Sequence, residues 1–179
     1  MTMTIEILPV RTSETIARTA VLARTVWREH YTPIIGSEQV AYMLEHFQSE
    51  PAIAEQIGKG IDYFLVLGDG KDAGYFALVP ETGAVMLSKL YVESAFRGKG
   101  TAAEALRFIG HYCREHGTPL LWLTVNKNNA AAIAWYLRQG FVNAGPVTAD
   151  IGNGFVMDDY RMEKRIVLSE AWHATLKPA

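Results

Sequence analysis

Apolar residues in the first third of the chain recur at helical spacing. The segment Ser13–Tyr31 is predicted to be a helix with Ser13 as its cap. The stretch "YTPIIG" interrupts this pattern, and further helices are predicted over Ser37–Phe47 and from Pro51, because proline suits a first helical turn. A short strand over Ile5–Val10 is predicted to precede them. The apolar positions of the first helix are Ile16, Ala20, Ala23 and Trp27.

The spacing of apolar residues changes from helical to strand-like in the middle of the chain. Three runs there have strand character, Tyr63–Leu67, Gly74–Val79 and Val85–Val92. The pairs Asp69-Gly70 and Thr82-Gly83 supply turns between them, so an antiparallel meander is predicted.

The second half of the chain alternates helices and strands. A long helix is predicted after Gly100 and ends at "GTP", and the next run, Leu120–Val125, is apolar enough for a strand buried on both faces. The segment "NNAAAIAWYLRQ" predicts another helix, and the stretch around "GNG" predicts a closing hairpin. The whole pattern indicates one α+β domain over residues 1–167, with a short C-terminal tail over 168–179.

Composition narrows the class of protein. The 179 residues carry a formal net charge of −2, which gives no support for nucleic-acid binding. The one cysteine, Cys113, excludes an internal disulfide and lies in a helical apolar pattern, so we expect it in the core. The histidines show no metal-ligand spacing, and His46, His111, His116 and His173 are expected at the surface or at helix ends. No secretory signal or apolar run of about 20 residues is present, so a soluble cytoplasmic protein without a metal is expected.

The stretch "RGKGTA" joins a predicted strand to a predicted helix. Glycines at 98 and 100 can adopt positive φ and allow a ligand to approach the backbone, and the helix N-terminus offers unpaired N–H groups. Together with the charges of Arg97 and Lys99, this arrangement favours a pyrophosphate. The spacing fits neither a P-loop nor a dinucleotide fingerprint. The alternative is a basic turn that binds no ligand.

A second strand-to-helix junction lies in "LTVNKNNAAAIAWYLRQGF". Asn126 ends the strand, and Asn129 suits the N-cap of the helix. Asn129 and Tyr136 share a helical face with Ala132 between them, which would leave a groove for an extended ligand. The alternative for Tyr136 is a packed ring with its hydroxyl at the surface.

These two junctions, in this order, resemble the GNAT superfamily of N-acetyltransferases. "RGKGTA" fits the family's [QR]-x-x-G-x-[GA] motif, "NKNNAAAIAWYLRQGF" fits its second motif, and "LSKLYV" matches its central strand. The resemblance implies a single mixed, mostly antiparallel sheet of six to seven strands flanked by helices. Two central parallel strands of that sheet would splay around acetyl-CoA. The closing "DDYRMEKRI" is similar to bacterial spermidine/spermine-type members.

The resemblance implies roles for individual residues. Backbone groups of the central strand would bond the pantetheine amides, and a bulge there would free an N–H for the thioester carbonyl. The turn would hold the pyrophosphate, and the second motif would line the pantetheine. The implied cofactor-binding residues are Leu90, Tyr91, Val92, Arg97, Gly98, Lys99, Gly100, Thr101, Ala102, Asn126, Asn129 and Ala132.

Tyr136 matches the family's general acid, which would protonate the departing thiolate as an amine attacks acetyl-CoA in a ternary complex. The general base is left open. The central strand has no glutamate, and water relayed from Ser88, or Glu29 or His30, are candidates. Lys89 is a poor base unless desolvated, and its simplest interpretation is a strand residue that reaches solvent.

The acceptor side is expected around "TVWREHYTPIIG". An aromatic and partly acidic pocket there would suit a cationic amine, although Trp27 is equally explained by core packing. The candidate substrate-binding residues are Trp27, Glu29, His30, Tyr31 and Ser88, with Asp158 and Asp159 as further contributors. The leading hypothesis is acetyl transfer to a small-molecule amine such as a polyamine. The alternatives are a lysine or N-terminal protein acetyltransferase, or a non-catalytic acyl-CoA sensor. The family's frequent dimers leave a homodimer open.

Overall fold

The chain folds as six α-helices and seven strands within residues 3–168, the part that the computed structural model describes. The predicted order of helices and strands is confirmed in this range, with one additional short helix over Thr32–Ile35 that was not predicted. The elements are β1 Ile5–Pro9, α1 Ser13–His30, α2 Thr32–Ile35, α3 Ser37–Phe47, α4 Glu50–Gly58, β2 Asp62–Gly68, β3 Lys71–Glu81, β4 Ala84–Val92, a 3₁₀ turn Ser94–Phe96, α5 Thr101–Glu115, β5 Leu120–Asn126, α6 Ala130–Arg138, β6 Val142–Gly152 and β7 Phe155–Arg165.

The start of α1 differs from the prediction by one residue. The cap is Thr12 and not Ser13, because the Thr12 hydroxyl accepts from the Thr15 N–H and the Thr15 hydroxyl accepts in return from the Thr12 N–H. This reciprocal pair satisfies two N–H groups that a helix start otherwise leaves without partners. The interrupting stretch "YTPIIG" also forms more structure than expected, since the short helix α2 lies within it.

The strands form one mixed sheet in the order β1-β2-β3-β4-β5-β7-β6. The pair β4 and β5 is parallel and its ladder joins Ala84–Met86 to Leu120–Trp122, the first three residues of each strand. Both strands continue beyond this short ladder, β4 to Val92 and β5 to Asn126. The predicted mixed, mostly antiparallel sheet with two central parallel strands is therefore confirmed.

The expectation that β5 is buried on both faces is wrong. Leu121, Leu123 and Val125 are buried, whereas Trp122 and Thr124 are half-buried. The strand has one core face and one partly open face because its neighbour β7 presents charged side chains beside Trp122. The Arg161 guanidinium lies 3.9 Å from the centre of the Trp122 ring, and the Trp122 indole N–H donates to Glu81 Oε2 at 2.9 Å.

The described chain divides into two units. The first unit comprises residues 3–79 and 88–107, and the second comprises residues 80–87 and 108–168. The first unit has an aromatic core in which Phe64 and Phe76 stack at 4.9 Å. A bidentate pair joins α1 to β3, with Arg18 Nε and Nη2 lying 3.1 and 2.6 Å from the two carboxylate oxygens of Asp72.

The fully buried side chains of the second unit are mostly aliphatic. Cys113 is fully buried there, as expected. The closing hairpin has Asn153 at φ 54° and Gly154 at φ 76°, which is the left-handed region that a tight two-residue turn requires. Other fully buried side chains in this unit are Ile109, Leu121, Leu123 and Met162.

The described residues end at position 168. All but the first residue of the predicted tail over 168–179, with His173, lies outside the described residues. The single-domain boundary at 167 stays a prediction.

Candidate active site

The turn between β4 and α5 has an open backbone. Gly98 and Gly100 have φ of 71° and 87°, and a Cβ at either position would meet no heavy atom within 4 Å outside its chain neighbours. The Thr101 side chain is buried and its hydroxyl donates to the Phe96 carbonyl at 3.0 Å, which fixes the start of the helix. The first N–H groups of α5 have no acceptor within the helix. This open, N–H-rich concavity fits a pyrophosphate.

The two cations of the turn are held differently. Arg97 Nε donates to the Val92 carbonyl at 2.9 Å, and Arg97 Nη1 lies 3.9 Å from Glu29 Oε1. The Lys99 ammonium lies 5.8 Å from the centre of the Phe96 ring and is exposed. Arg97 therefore fixes the end of β4, whereas the exposed Lys99 contacts the Phe96 ring.

The end of β4 approaches β3 closely. A Cβ at Gly74 would lie 2.5 Å from the Tyr91 carbonyl oxygen, so only glycine fits this position without a shift. The Glu93 N–H donates to the Ala73 carbonyl at 2.9 Å just beyond it. The backbone of Leu90, Tyr91 and Val92 is thereby positioned from one side by β3. The bulge expected in this strand stays a prediction.

The predicted acceptor residues of α1 belong to an aromatic cluster. The Trp27 ring stacks on Tyr31 at 4.4 Å and meets Tyr91 edge-on at 5.5 Å, while Tyr31 and Tyr91 lie 5.9 Å apart. Tyr75 of β3 completes the cluster at 5.2 Å from Tyr91. Trp27 is 2% exposed, so it packs in the core of the first unit and is the buried member of the cluster's contact with Tyr31 and Tyr91.

The polar members of the predicted acceptor set have local partners. Glu29 is exposed and its carboxylate faces the Arg97 guanidinium, which offsets the acidic character predicted for this region. The Ser88 hydroxyl donates to the Ala77 carbonyl at 3.3 Å. The His30 ring meets the Tyr31 ring edge-on at 4.9 Å.

The expectation that Lys89 reaches solvent is wrong. Its side chain is 9% exposed, and its ammonium nitrogen donates to Gln56 Oε1 at 2.7 Å. Burial lowers the pKa of Lys89 from 10.5 to about 8. The alternation of β4 was the available signal, because Lys89 falls on the same face as the buried residues Val85 and Leu87.

The second motif forms a tightly capped junction in the second unit. The Asn126 Oδ1 atom accepts from the Asn128 N–H at 2.9 Å, and the Asn129 Oδ1 atom accepts from the Ala132 N–H at 3.4 Å. Asn129 is thus the predicted N-cap of α6. Tyr136 is 8% exposed and packs edge-on against Phe141, with ring centres 5.3 Å apart.

A buried carboxylate lies next to this junction. Asp159 pairs with Asn126 across the β5–β7 ladder, is 6% exposed, and its Oδ1 atom has no hydrogen-bond partner within residues 3–168. Burial raises the pKa of Asp159 although Thr124 hydrogen-bonds to it. Its neighbour Asp158 is exposed and pairs with the Lys127 ammonium.

A cavity of about 500 Å³ opens beside α1 and α3 in the first unit. Its lining includes two arginines and none of the predicted substrate-binding residues, so it is distinct from the predicted acceptor site. The lining residues are Arg24, Arg28, Thr32, Ser37, Val40, Ala41, Leu44, Glu45, Gln48 and Ser49. Over residues 3–168, no cluster of three or more His, Cys, Asp and Glu is placed to hold a metal ion. No helix of that range is both long and apolar enough to cross a membrane.

Known proteins share both the sequence pattern and the fold. The model of the acetyltransferase (GNAT) family matches residues 25–141. An uncharacterised N-acetyltransferase of Mycobacterium tuberculosis is 28% identical over 137 residues, which are 75% of this chain and 87% of that protein. Streptothricin acetyltransferase of Streptomyces lavendulae is 33% identical over 85 residues, 46% of this chain and 45% of that protein.

The fold has a similar counterpart among solved structures. PaiA N-acetyltransferase from Thermoplasma acidophilum, solved in complex with coenzyme A, superposes with a TM-score of 0.74 at 20% identity and covers 91% of this chain and 99% of that one. Since the family model matches well over half of the residues, this chain belongs to the acetyltransferase (GNAT) family and is an acyltransferase whose acetyl donor is acetyl-CoA.

Proposed function

We propose that this enzyme transfers the acetyl group of acetyl-CoA directly to the primary amine of a small molecule. The observation that carries the proposal is the open turn at the start of α5, where two glycines with positive φ leave room for a pyrophosphate. When bound, acetyl-CoA supplies the activated acetyl group. Binding, orientation and proton transfer are the tasks of the chain's own residues.

The turn provides the cofactor's anchor in this proposal. The backbone N–H groups of residues 97–102 bind the pyrophosphate together with the positive end of the α5 dipole. Lys99 adds a positive charge to them, and Arg97 keeps the turn in place through its bond to the Val92 carbonyl.

The pantetheine arm is assigned to strand and helix backbones. The N–H and C=O groups of Leu90, Tyr91 and Val92 bind its amides as an added strand would. Asn126, Asn129 and Ala132 line the arm at the start of α6. The small side chain of Ala132 leaves the space that the arm needs.

Tyr136 is the proposed general acid. The thiolate that leaves when the amide forms needs a proton, and the phenol's ordinary pKa of about 10 is close to that of a thiol at about 8.5 or above. The buried ring packs against Phe141, which restricts its position.

The acceptor is proposed to be a small amine, with polyamines as one class. Aromatic faces such as those of Tyr31 and Tyr91 favour cationic amines, and Trp27 holds them in place. Glu29 and His30 border the same wall, whereas Ser88 lies on the opposite face of β4 from Tyr91. The similarity to streptothricin acetyltransferase supports a small-molecule acceptor, since that name gives streptothricin as the acetylated compound. A protein lysine or N-terminus is the alternative acceptor, and a cytoplasmic location and a homodimer stay predictions.

A substrate panel tests the class of acceptor. Thiol release from acetyl-CoA would be followed with spermidine, spermine, streptothricin, aminoglycosides, amino acids, a lysine peptide and a peptide with a free N-terminus. We expect turnover with one small-molecule class. Turnover with the peptides alone would replace the proposal by protein acetylation. Tight acetyl-CoA binding without thiol release in any mixture would indicate a sensor.

Replacing Tyr136 tests the general acid. We expect Tyr136→Phe to bind acetyl-CoA with unchanged affinity by calorimetry and to lower kcat by about 100-fold or more, because a positioned acid typically contributes at least that factor. Tyr42→Phe, on α3, serves as the matched control and should retain the wild-type kcat. An unchanged rate for Tyr136→Phe across the pH range would remove Tyr136 from the mechanism.

A further inference from the structure

Lys89 carries a buried amine that has no role in the acetyl transfer proposed so far. It extends from β4 toward α4, where its nitrogen donates to Gln56 Oε1 at 2.7 Å and lies 5.1 Å from the centre of the Tyr63 ring. Gln56 is fixed in turn, because its amide N–H donates to the Phe47 carbonyl at 3.1 Å and its oxygen also accepts from the Tyr63 hydroxyl at 2.7 Å. The amine is therefore held in one place by neutral groups.

Nothing charged compensates this amine within residues 3–168. Its amine contacts a carboxamide and an aromatic ring, and burial is the cause of its lowered pKa. A buried lysine without a carboxylate destabilises the folded protein. Such a group is often retained for function.

Lys89 shares a strand face with one residue of the proposed acceptor wall. Alternate residues of a strand point to the same face, so Lys89 and Tyr91 share one side of β4, about 7 Å apart along the strand. Tyr91 in turn contacts Trp27 and Tyr31, the aromatic residues proposed to receive the amine. Lys89 therefore lies on the face of β4 that carries Tyr91, with its amine against Gln56 and Tyr63.

The protonation of Lys89 suits proton removal. Burial lowers its pKa to about 8, so roughly a quarter of the molecules hold it neutral at pH 7.5, against about one in a thousand for an exposed lysine. Among residues 3–168, the titratable side chain in contact with the amine is Tyr63 of β2, and Tyr75 of β3 and Tyr91 of β4 belong to the aromatic cluster of the same unit. Burial raises the pKa of both Tyr63 and Tyr75, so these two phenols stay uncharged in this range.

We propose that Lys89 is the general base that removes the proton from the acceptor's ammonium group. The inference rests on the proposed function. The neutral Lys89 nitrogen takes one proton, and the freed acceptor nitrogen forms the amide bond to the acetyl carbon as the bond from that carbon to sulfur breaks. Tyr136 gives its proton to the sulfur. As the amide forms, the acceptor nitrogen loses its second proton to solvent. Lys89 releases its proton to solvent as well, and Tyr136 regains one from solvent, so the net balance is one proton released for each acetyl transferred.

The test compares Lys89→Met and Lys89→Arg with wild type, using acetyl-CoA and the amine of the panel that wild type acetylates. Both variants should lose about 100-fold or more in kcat/KM at pH 7.5, since Met accepts no proton and Arg stays protonated. The wild-type profile should rise with pH to a plateau above about 8. In Lys89→Met that rise should move to the pKa of the acceptor amine itself. Lys71→Met, an exposed lysine of β3, should match wild type.

A second readout does not depend on turnover. In wild type with ¹³C-labelled lysine, one Cε resonance should titrate near pH 8 and be missing from Lys89→Met. A titration above pH 10, an acetyl group found on Lys89 by mass spectrometry, or unchanged kcat/KM in Lys89→Met would each overturn the assignment while leaving the acetyltransferase function intact. Absence of turnover with every amine in the panel would instead overturn the proposed function, and the role of Lys89 with it.

Discussion

At the scale of single residues, burial decides the chemistry of side chains that look alike in sequence. Lys59 and Lys89 are both lysines within a few residues of apolar runs. Lys59 is exposed at the end of α4 and pairs with Glu55 at 2.5 Å, whereas Lys89 is buried against Gln56 without a carboxylate. The exposed pair contributes little to stability because solvent screens it. The buried amine has an altered pKa and is unfavourable for folding.

The buried amine predicts a pH-dependent gain of stability in Lys89→Met. The folded-state pKa of about 8 lies below the unfolded value of 10.5, so below pH 8 the unfolded state binds the extra proton more favourably. That preference costs the folded state about 3 kcal/mol below pH 8, and the cost fades as the pH rises toward 10.5. Lys89→Met removes it while keeping a similar shape.

Urea unfolding checks this expectation. Lys89→Met should be more stable than wild type at pH 7, and the difference should shrink at pH 10. Lys71→Met should show no such trend, since Lys71 is exposed. A Lys89→Met variant less stable than wild type at pH 7 would mean that the ammonium is well accommodated in the fold.

At the scale of the elements, one close contact between two strands positions the backbone proposed to bind pantetheine. Gly74 of β3 and the Tyr91 carbonyl of β4 approach so closely that a Cβ has no room, at 2.5 Å. The side chains of Tyr91 and Tyr75 lie against each other at 5.2 Å on the same stretch. The path of β4 at Leu90–Val92 therefore depends on the absence of a side chain in β3.

This contact predicts two losses in Gly74→Ala. The added methyl group must displace backbone, which should lower the free energy of unfolding by about 1–3 kcal/mol, as overpacking does. Because the displaced carbonyl belongs to the proposed pantetheine strand, calorimetry should also show weaker acetyl-CoA binding. Gly110→Ala is the matched control: its Cβ would meet only the end of the Arg114 side chain at 3.6 Å, inside α5. Equal acetyl-CoA affinity for Gly74→Ala and wild type would show that this strand does not bind the cofactor.

At the scale of the whole molecule, a ligand that binds only the folded chain stabilises all of it. Acetyl-CoA at 100 times its Kd should add about 2.7 kcal/mol, which corresponds to roughly 5–10 °C in Tm for a chain of this size. A melting experiment with coenzyme A measures this shift. The shift should be lost in Gly100→Val, because a branched residue is strained at φ 87° and its side chain would project into the open turn.

Gly70→Val separates strain from binding. Gly70 has φ 76° and equally open surroundings, but it lies in the turn between β2 and β3. We expect Gly70→Val to lower the Tm of the free protein about as much as Gly100→Val does. Unlike Gly100→Val, it should keep the full Tm shift with coenzyme A. A full shift in Gly100→Val would place the pyrophosphate elsewhere.

The local features of this protein could be predicted from sequence. Helix and strand positions follow from the spacing of apolar residues, and the positive φ of Gly98 and Gly100 and the cap at Asn129 depend on contacts within a few residues. The two motifs and their order were enough to predict the family, because each motif is a strand, a turn and a helix that are contiguous in the chain.

Features that depend on distant residues were decided only by the tertiary structure. Lys89 is desolvated because α4, more than thirty residues earlier, covers its face of β4 with Gln56. Glu29 faces Arg97, and Gly74 is required by Tyr91, through contacts that no local pattern encodes. The sequence by itself therefore determined which family the chain resembles and where its motifs lie. The packing of helices and strands determined that the Lys89 amine is desolvated, because desolvation depends on every group that surrounds the amine.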